Sequence, residues 1–413
     1  MTPPRPSPTD RVLYVTHRVP YPPDKGDRIR NVHLLRQLSR RAKVWLVALA
    51  DEPVAPETDR VLGELCERVA IVPTARRYRW VRAALSAASG RSLTEGLFHE
   101  PAAMKVVRRF AAEANFSAAV ASSSGLAGYL RSVAGVPAFF DAMDVDSQKW
   151  LDFAGASRAP KRWVYGFEAG RVRKLERSLP AWADVCFVSD AEVAVYESFA
   201  GPGTAFAATN GVDLDYFRAR EVHDDPACVF VGAMDYLPNE DAARWFARDV
   251  WPRVRAKFSD AEFRIVGRNP TAAVRELAGI PGVCVLGTVP DVRPFVESSA
   301  VAVVPIRLAR GVQNKVLEAL AMGKATVAAP PALAALGTVR GRHLLSATTA
   351  DEWVTAVCHL LANPAARRDL GTAGRAFVEA HHHWDRCLEP LVERVVPATR
   401  EVPRAPLRVA ATR

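Results

Sequence analysis

No run of 18 apolar residues occurs anywhere in the 413-residue chain, so nothing in it is suited to crossing a bilayer as a helix. The opening MTPPRPSPTDR lacks the apolar stretch of a signal peptide, and a cytoplasmic location is expected, with attachment at the inner membrane face as the alternative. The six cysteines (Cys66, Cys186, Cys228, Cys284, Cys358 and Cys387) form no CxxC pair. That excludes a disulfide framework and a cysteine zinc site, and suits buried thiols in a reducing compartment. Lysine is scarce: only 9 of the 55 basic residues are Lys, and Ala is abundant. This is the mark of a GC-rich genome, so part of the net charge of +10 is compositional. Apolar and charged fractions of 49% and 24% are those of an ordinary globular chain long enough for two or three domains.

The distribution of charge says more than its total. Residues 1–200 carry net +7 and the remainder +3. Two clusters mix Arg or Lys with aromatics, at 76–82 (Arg76, Arg77, Tyr78, Arg79, Trp80, Arg82) and 158–165 (Arg158, Lys161, Arg162, Trp163, Tyr165). Trp at headgroup level with Arg on phosphate suits an anionic membrane surface; a solvated helix face is the alternative. No nucleic-acid-binding module accompanies these clusters, so no nucleic-acid partner is expected.

Apolar, β-branched segments alternate with helical stretches along the chain. RVLYVTH (11–17), KVWLVALA (43–50), RVAIVP (68–73), AAVASSS (118–124), PAFFDAMD (137–144) and DVCFVS (184–189) read as strands of one parallel, doubly wound sheet. A helix is expected around Asn31–Arg40. Residues 201–226, rich in Gly, Pro and Asp, read as a linker. The series restarts with ACVFVGA (227–233), EFRIVG (262–267), VCVLG (283–287), AVAVVP (300–305) and ATVAAP (325–330). The expected organisation is an N-terminal Rossmann-like domain over 1–200, the linker, a second such domain over 227–385, and a C-terminal helix (386–396) with a frayed tail over 386–413.

Ligands of open α/β sheets bind beyond the carboxyl ends of the strands. Neither first strand is followed by GxGxxG, which argues against a single dinucleotide domain and for a cleft between two domains. The most informative segment is 302–329, AVVPIRLARGVQNKVLEALAMGKATVAA. Here a buried strand delivers Arg310, Gly311, Gln313, Asn314 and Lys315 to the start of a helix carrying Glu318. Gly311 permits close backbone approach, and the first helical N–H groups lack internal partners, so an anion site is expected; a surface βα loop with an exposed ion pair is the alternative. Its N-terminal counterpart is PYPPDKGDRIRN (20–31), with Gly26 at a helix start and Asp27, Arg28 and Asn31 as polar groups; a plain Pro/Gly turn is the alternative.

The segments THRVPYPPDKGDRIRNVHLLRQL, FFDAMDVDSQKW, TNGVDLDYF, VFVGAMDYLPNEDAARWF, GTVPDVRPF and ARGVQNKVLEALAMGKATVAA together resemble the retaining GT-B glycosyltransferases of family 4. Within that family the chain is most similar to the sugar transferases of PEP-CTERM/exosortase exopolysaccharide loci. The resemblance implies an α/β fold of two Rossmann-like domains facing across a cleft. The nucleotide-sugar donor would sit on the C-terminal domain and the acceptor on the N-terminal one, with the last helix crossing back to the N-terminal domain. Glu318 matches the second of two family Glu residues, the one expected on the donor ribose. Arg310 replaces the first, and its guanidinium would favour a carboxylate or phosphate over hydroxyls. The basic pair many members carry after the first C-domain strand is missing from Gly232–Asn239, leaving Arg268, Arg310 and Lys315 to neutralise a diphosphate. Met143 stands where a His is common, and Asp144 is the polar candidate on the acceptor side. Asn210 and Gly211 would line the cleft or form a turn.

These readings lead to one expectation. A sugar moves from a nucleoside diphosphate sugar to a lipid-linked or saccharide acceptor in exopolysaccharide or cell-envelope glycan synthesis. Catalytic roles fall to Arg310, Lys315, Glu318 and Asp144. Donor contacts fall to Gly232, Arg268, Gly311, Gln313, Asn314, Asn210 and Gly211, with Gly26, Asp27, Arg28 and Asn31 on the acceptor side. No cofactor and no metal is expected beyond the donor itself. The alternatives are a GT-B-fold sugar-nucleotide 2-epimerase and a non-catalytic nucleotide-sugar-binding subunit. The Asp144-Val-Asp146 pair is discounted as a metal motif, and His381, His382 and His383 are expected on a helix surface, pointing apart.

Overall fold

The computed structural model describes residues 10–220, 224–308 and 311–397, apart from the Arg76 side chain. Strands β1 (Arg11–Thr16), β2 (Lys43–Ala50), β3 (Arg68–Pro73), β4 (Ala118–Ala121), β5 (Ala138–Asp141), β6 (Ala183–Phe187) and β7 (Phe206–Ala207) form one sheet, ordered β3-β2-β1-β4-β5-β6-β7. Strands β8 (Asp225–Val231), β9 (Glu262–Val266), β10 (Val283–Gly287), β11 (Ser299–Val304), β12 (Thr326–Ala328) and β13 (Leu345–Ser346) form the other, ordered β10-β9-β8-β11-β12-β13. Every pairing is parallel.

Period-two alternation explains why these strands are apolar throughout. In the first sheet Leu13 and Val15 join Val47 and Leu49 in one core, while Val12 and Tyr14 join Val44 and Leu46 in another. Both faces are covered by helices, so neither set can be polar. In the second sheet Phe230 and Ile265 face one core and Val229 and Val266 the other.

Strand order reverses between β1 and β4 in the first sheet and between β8 and β11 in the second. Those two switch points are where the sheet ends open into a crevice. They hold the loops that the sequence singles out.

Several boundaries differ from the sequence reading. The segment 201–226 is not linker throughout: Phe206–Ala207 pairs with β6, and β8 already begins at Asp225. A two-residue strand is too short to carry a periodic signal. The first helix is Gly26–Ser39, one and a half turns earlier than expected, so Asp27, Arg28 and Asn31 are helical residues. The last helix is Trp384–Val395; Trp384, Leu388, Leu391 and Val392 enter the second core of the first sheet, and Gln37 donates to the Trp384 carbonyl at 2.7 Å.

The chain crosses back through His382, which corrects its placement on a helix surface. The preceding helix ends at His381, and His382 is buried, its ring nitrogens 3.1 Å from the Asn210 carbonyl and 3.2 Å from that of Leu336. Val212 donates to the His382 carbonyl at 2.7 Å, so the outgoing and returning segments are joined. Among the described residues no helix is long and apolar enough to cross a membrane.

Candidate functional site

The donor-side loop follows β11 and includes Gly311, whose φ of 60° is left-handed and favours glycine. Arg310 lies outside the described residues. The helix Asn314–Ala321 follows, and its N-cap Gln313 does not cap it with a side-chain hydrogen bond. Val316 N–H donates to the Gln313 carbonyl at 2.9 Å, and the N–H groups ahead of it have no side-chain cap.

One residue into this helix, Lys315 donates from Nζ to Asn239 Oδ1 at 2.8 Å. Asn239 is buried in the first turn of the helix Leu237–Trp245 and donates from Nδ2 to the Ala233 carbonyl at 2.9 Å. The lysine thus pins the β11 loop to the loop after β8. Gly232, the first residue of that loop, has its α-carbon against the Asn239 amide.

Glu318 lies one turn along, and its carboxylate has no hydrogen-bond partner among the described residues. Burial pushes it up to about 7, with the Lys315 charge opposing; burial brings Lys315 down to about 8, with Glu318 opposing. Together with Val229, Val231, Ala302 and Met322 they line a cavity of about 20 Å³. A carboxylate that accepts nothing from the described residues, beside an ammonium with reduced proton affinity, is a pair suited to a ligand bearing hydroxyls and negative charge.

The facing loop of the N-terminal domain is built differently. His17 donates from its backbone to Ser122 Oγ at 3.1 Å, joining the ends of β1 and β4. Asp27 lies 3.1 Å from His17 Nε2 and accepts from Arg18 at 2.9 Å. Burial alone would raise its carboxyl, but those two partners outweigh burial and hold it well below the usual carboxylate range. Arg28 donates to Asp24 at 2.9 Å and Glu52 at 2.8 Å. Asn31 is buried and accepts from the Tyr14 hydroxyl at 2.9 Å. The polar groups the sequence offered to an acceptor are therefore paired within the domain.

The two loops meet. A β-carbon on Gly311 would sit 2.5 Å from Asp144 Oδ1, so the Asp144 carboxylate lies against the Gly311 backbone. Asp146 accepts instead from Ser124 Oγ at 3.1 Å. Arg268 donates to Asp24 Oδ2 at 3.0 Å across the crevice. Gly211 sits against the backbone of Trp384 and His382, with no room for a β-carbon, and serves the chain crossing.

Beneath both loops runs a chain of polar residues, of which the sequence reading had Asn210 and Asn314 but missed Arg30 and Asp141. Arg30 is clamped to Asp141 by bonds of 2.6 and 2.9 Å, both side chains 1% exposed. Arg30 Nη1 also donates to Asn210 Oδ1 at 2.9 Å, and Asn210 Nδ2 donates to Asn314 Oδ1 at 3.0 Å. The signal in the sequence was the lone Asp at the end of the apolar strand AFFD, since a buried charge requires a partner.

Residues 225–363 match the family model described as glycosyl transferases group 1, which spans β8 to the end of β13 and the helix Ala350–Ala362 beyond it. The C-terminal domain is thus similar to the group 1 glycosyltransferases over that stretch. No curated protein matches the chain. Among solved structures, it is similar to sucrose-phosphate synthase of Thermosynechococcus elongatus, with a TM-score of 0.70 at 16% identity over 94% of this chain and 100% of that one. It is similar also to Anabaena Alr3699/HepE in complex with UDP and glucose, with a TM-score of 0.65 at 12% identity over 93% and 98% of the two chains. A variant of S. aureus TarM in complex with fondaparinux, alpha-GlcNAc-glycerol and UDP gives 0.65 at 9% identity over 94% and 100%. At these identities the likeness is one of fold, and the fold is GT-B. The C-terminal domain contributes Lys315, Glu318 and Asn314 to the crevice, and the N-terminal domain contributes Asp144 and Gly26.

Proposed function

We propose that the chain is a retaining glycosyltransferase that moves a sugar from a nucleoside diphosphate sugar to a lipid-linked or saccharide acceptor in exopolysaccharide or cell-envelope glycan synthesis. The observation that carries this reading is the Glu318 carboxylate, without a hydrogen-bond partner among the described residues and one turn from Lys315, at a helix start in the crevice. Ribose hydroxyls would donate to Glu318, and the diphosphate would meet Lys315 and the first N–H groups of the helix Asn314–Ala321. The Lys315 ammonium stabilises the negative charge that develops on the leaving diphosphate. Arg268 can add to it by exchanging Asp24 for phosphate. These groups supply the positive charge a metal would otherwise bring. Asp144, against Gly311, is placed to orient an acceptor hydroxyl, and the close approach of the loops excludes water from the transfer. Arg310 remains in this reading the residue that would select a donor bearing a carboxylate or phosphate.

A membrane-facing acceptor suits the exposed residues of two adjacent helices, Arg79–Ala88 and Lys161–Ser178. Arg171 of the second donates to the Ala87 and Arg91 carbonyls at the end of the first. Trp80 and Trp163 are 61% and 72% exposed, among Arg79, Lys161 and Arg162. In this reading the protein is cytoplasmic and peripheral at the inner membrane face.

The experiment is incubation with a panel of labelled nucleotide sugars, beginning with UDP-sugars, and membrane extract. Label passing into lipid or polymer is the expected result. A chemically altered free nucleotide sugar would mean an epimerase, and tight binding without turnover a donor-binding subunit. For the membrane contact, co-sedimentation with anionic liposomes should weaken with salt and on Arg79→Glu or Trp80→Ala; indifference to both would sink it.

A further inference from the structure

Arginine has only donors, and that fact sets the direction of every amide in the chain from Arg30 to the crevice. Arg30 is held by Asp141 and spends Nη1 on Asn210 at 2.9 Å, so the atom of Asn210 that faces it must be Oδ1. The Asn210 Nδ2 group is then turned toward Asn314, 3.0 Å away, and the Asn314 atom that receives it must be Oδ1. By elimination Asn314 Nδ2 points the other way. Among the described residues it donates to nothing, and it is the atom a β-carbon on Gly26 would meet, at 3.9 Å. It therefore lies between the start of the first helix and the start of the donor-side helix.

We propose that Asn210, oriented by Arg30, is a positioning residue that fixes the polarity of Asn314, so that the Asn314 amide offers its N–H groups to the diphosphate in the crevice. This rests on the donor reading above. The arrangement ties donor recognition to the chain crossing: Asn210 also gives its carbonyl to His382, 3.1 Å away. Loosening the crossing would let Asn314 rotate and present an acceptor to the phosphates instead.

The test uses the full chain and titration calorimetry with UDP. Asn210→Asp keeps an acceptor for Arg30 but leaves no donor for Asn314, which must rotate to donate to the new carboxylate and so presents Oδ1 to the crevice. UDP affinity should fall at least about tenfold, with the melting temperature no lower than that of the unaltered chain. The same Asn210→Asp change made in an Asn314→Ala background should cost nothing further. An undiminished penalty in that background would show a through-space charge effect and overturn the proposal, as would unchanged UDP affinity in the single variant. Asn210→Gln, which shifts the amide by one methylene, serves as the second variant should Asn210→Asp fail to fold. It should weaken UDP binding only while Asn314 is present. If the unaltered chain binds none of UDP, ADP or GDP, the donor reading itself fails and takes this inference with it.

Discussion

The two loops that face each other across the crevice both lead through a glycine into a helix start with polar side chains, and end as opposites. In 20–31, Asp24, Asp27, Arg28 and Asn31 are all engaged inside the protein, with Arg268, His17, Arg18, Glu52 and Tyr14 as partners. In 311–318, among the described residues, Glu318 accepts no hydrogen bond and Asn314 keeps its N–H groups free, while Lys315 is held by one neutral amide. Polar side chains at a helix start are thus no guide by themselves to where a ligand goes. The loop whose charges cancel is scaffold, and the loop that leaves them open is receptor.

Removing the scaffold's buried anchor should produce the largest effect. Asp141→Ala leaves the Arg30 guanidinium uncompensated in the interior and should cost about 3–5 kcal/mol in denaturant unfolding. Lys315→Met should instead spare stability and lower transfer by about 10²–10³-fold, because its charge acts where the leaving group develops. If Lys315→Met unfolded the protein and Asp141→Ala left it intact, the division between the loops would be wrong.

Two carboxylates, one per loop, should give opposite pH signatures. Asp27 is held low, so its contribution is complete above the ordinary Asp range near about 4 and is lost as pH falls toward its folded value. Glu318 is raised to about 7, so the folded state holds its proton longer, and stability falls as pH climbs from the ordinary Glu range to about 7. Asp27→Asn should flatten the acid limb of the stability curve, and Glu318→Gln the limb approaching neutrality. Donor affinity should follow a shallow bell, weakening below about 7 as Glu318 takes up a proton and above about 8 as Lys315 loses one.

Most strands were legible because a parallel strand covered on both faces is an uninterrupted apolar run. The strands Phe206–Ala207 and Leu345–Ser346 were not, being too short to show a pattern. The position of the donor-side helix was legible from Gly311 and the apolar strand before it. What each polar side chain does was not, because partners come from far along the chain: Asp141 lies 111 residues from Arg30, and Asn239 lies 76 from Lys315. His382 was misread for the same reason. Its partners are the Asn210 and Leu336 carbonyls, and only the returning chain brings them together.

The most direct test of the central claim is UDP binding to the full chain, measured by calorimetry beside the Lys315→Met and Glu318→Gln variants. UDP should bind, and either change should weaken that binding at least about tenfold, with both variants melting no lower than the unaltered chain. UDP binding that neither change disturbs would contradict that claim and place the nucleotide elsewhere.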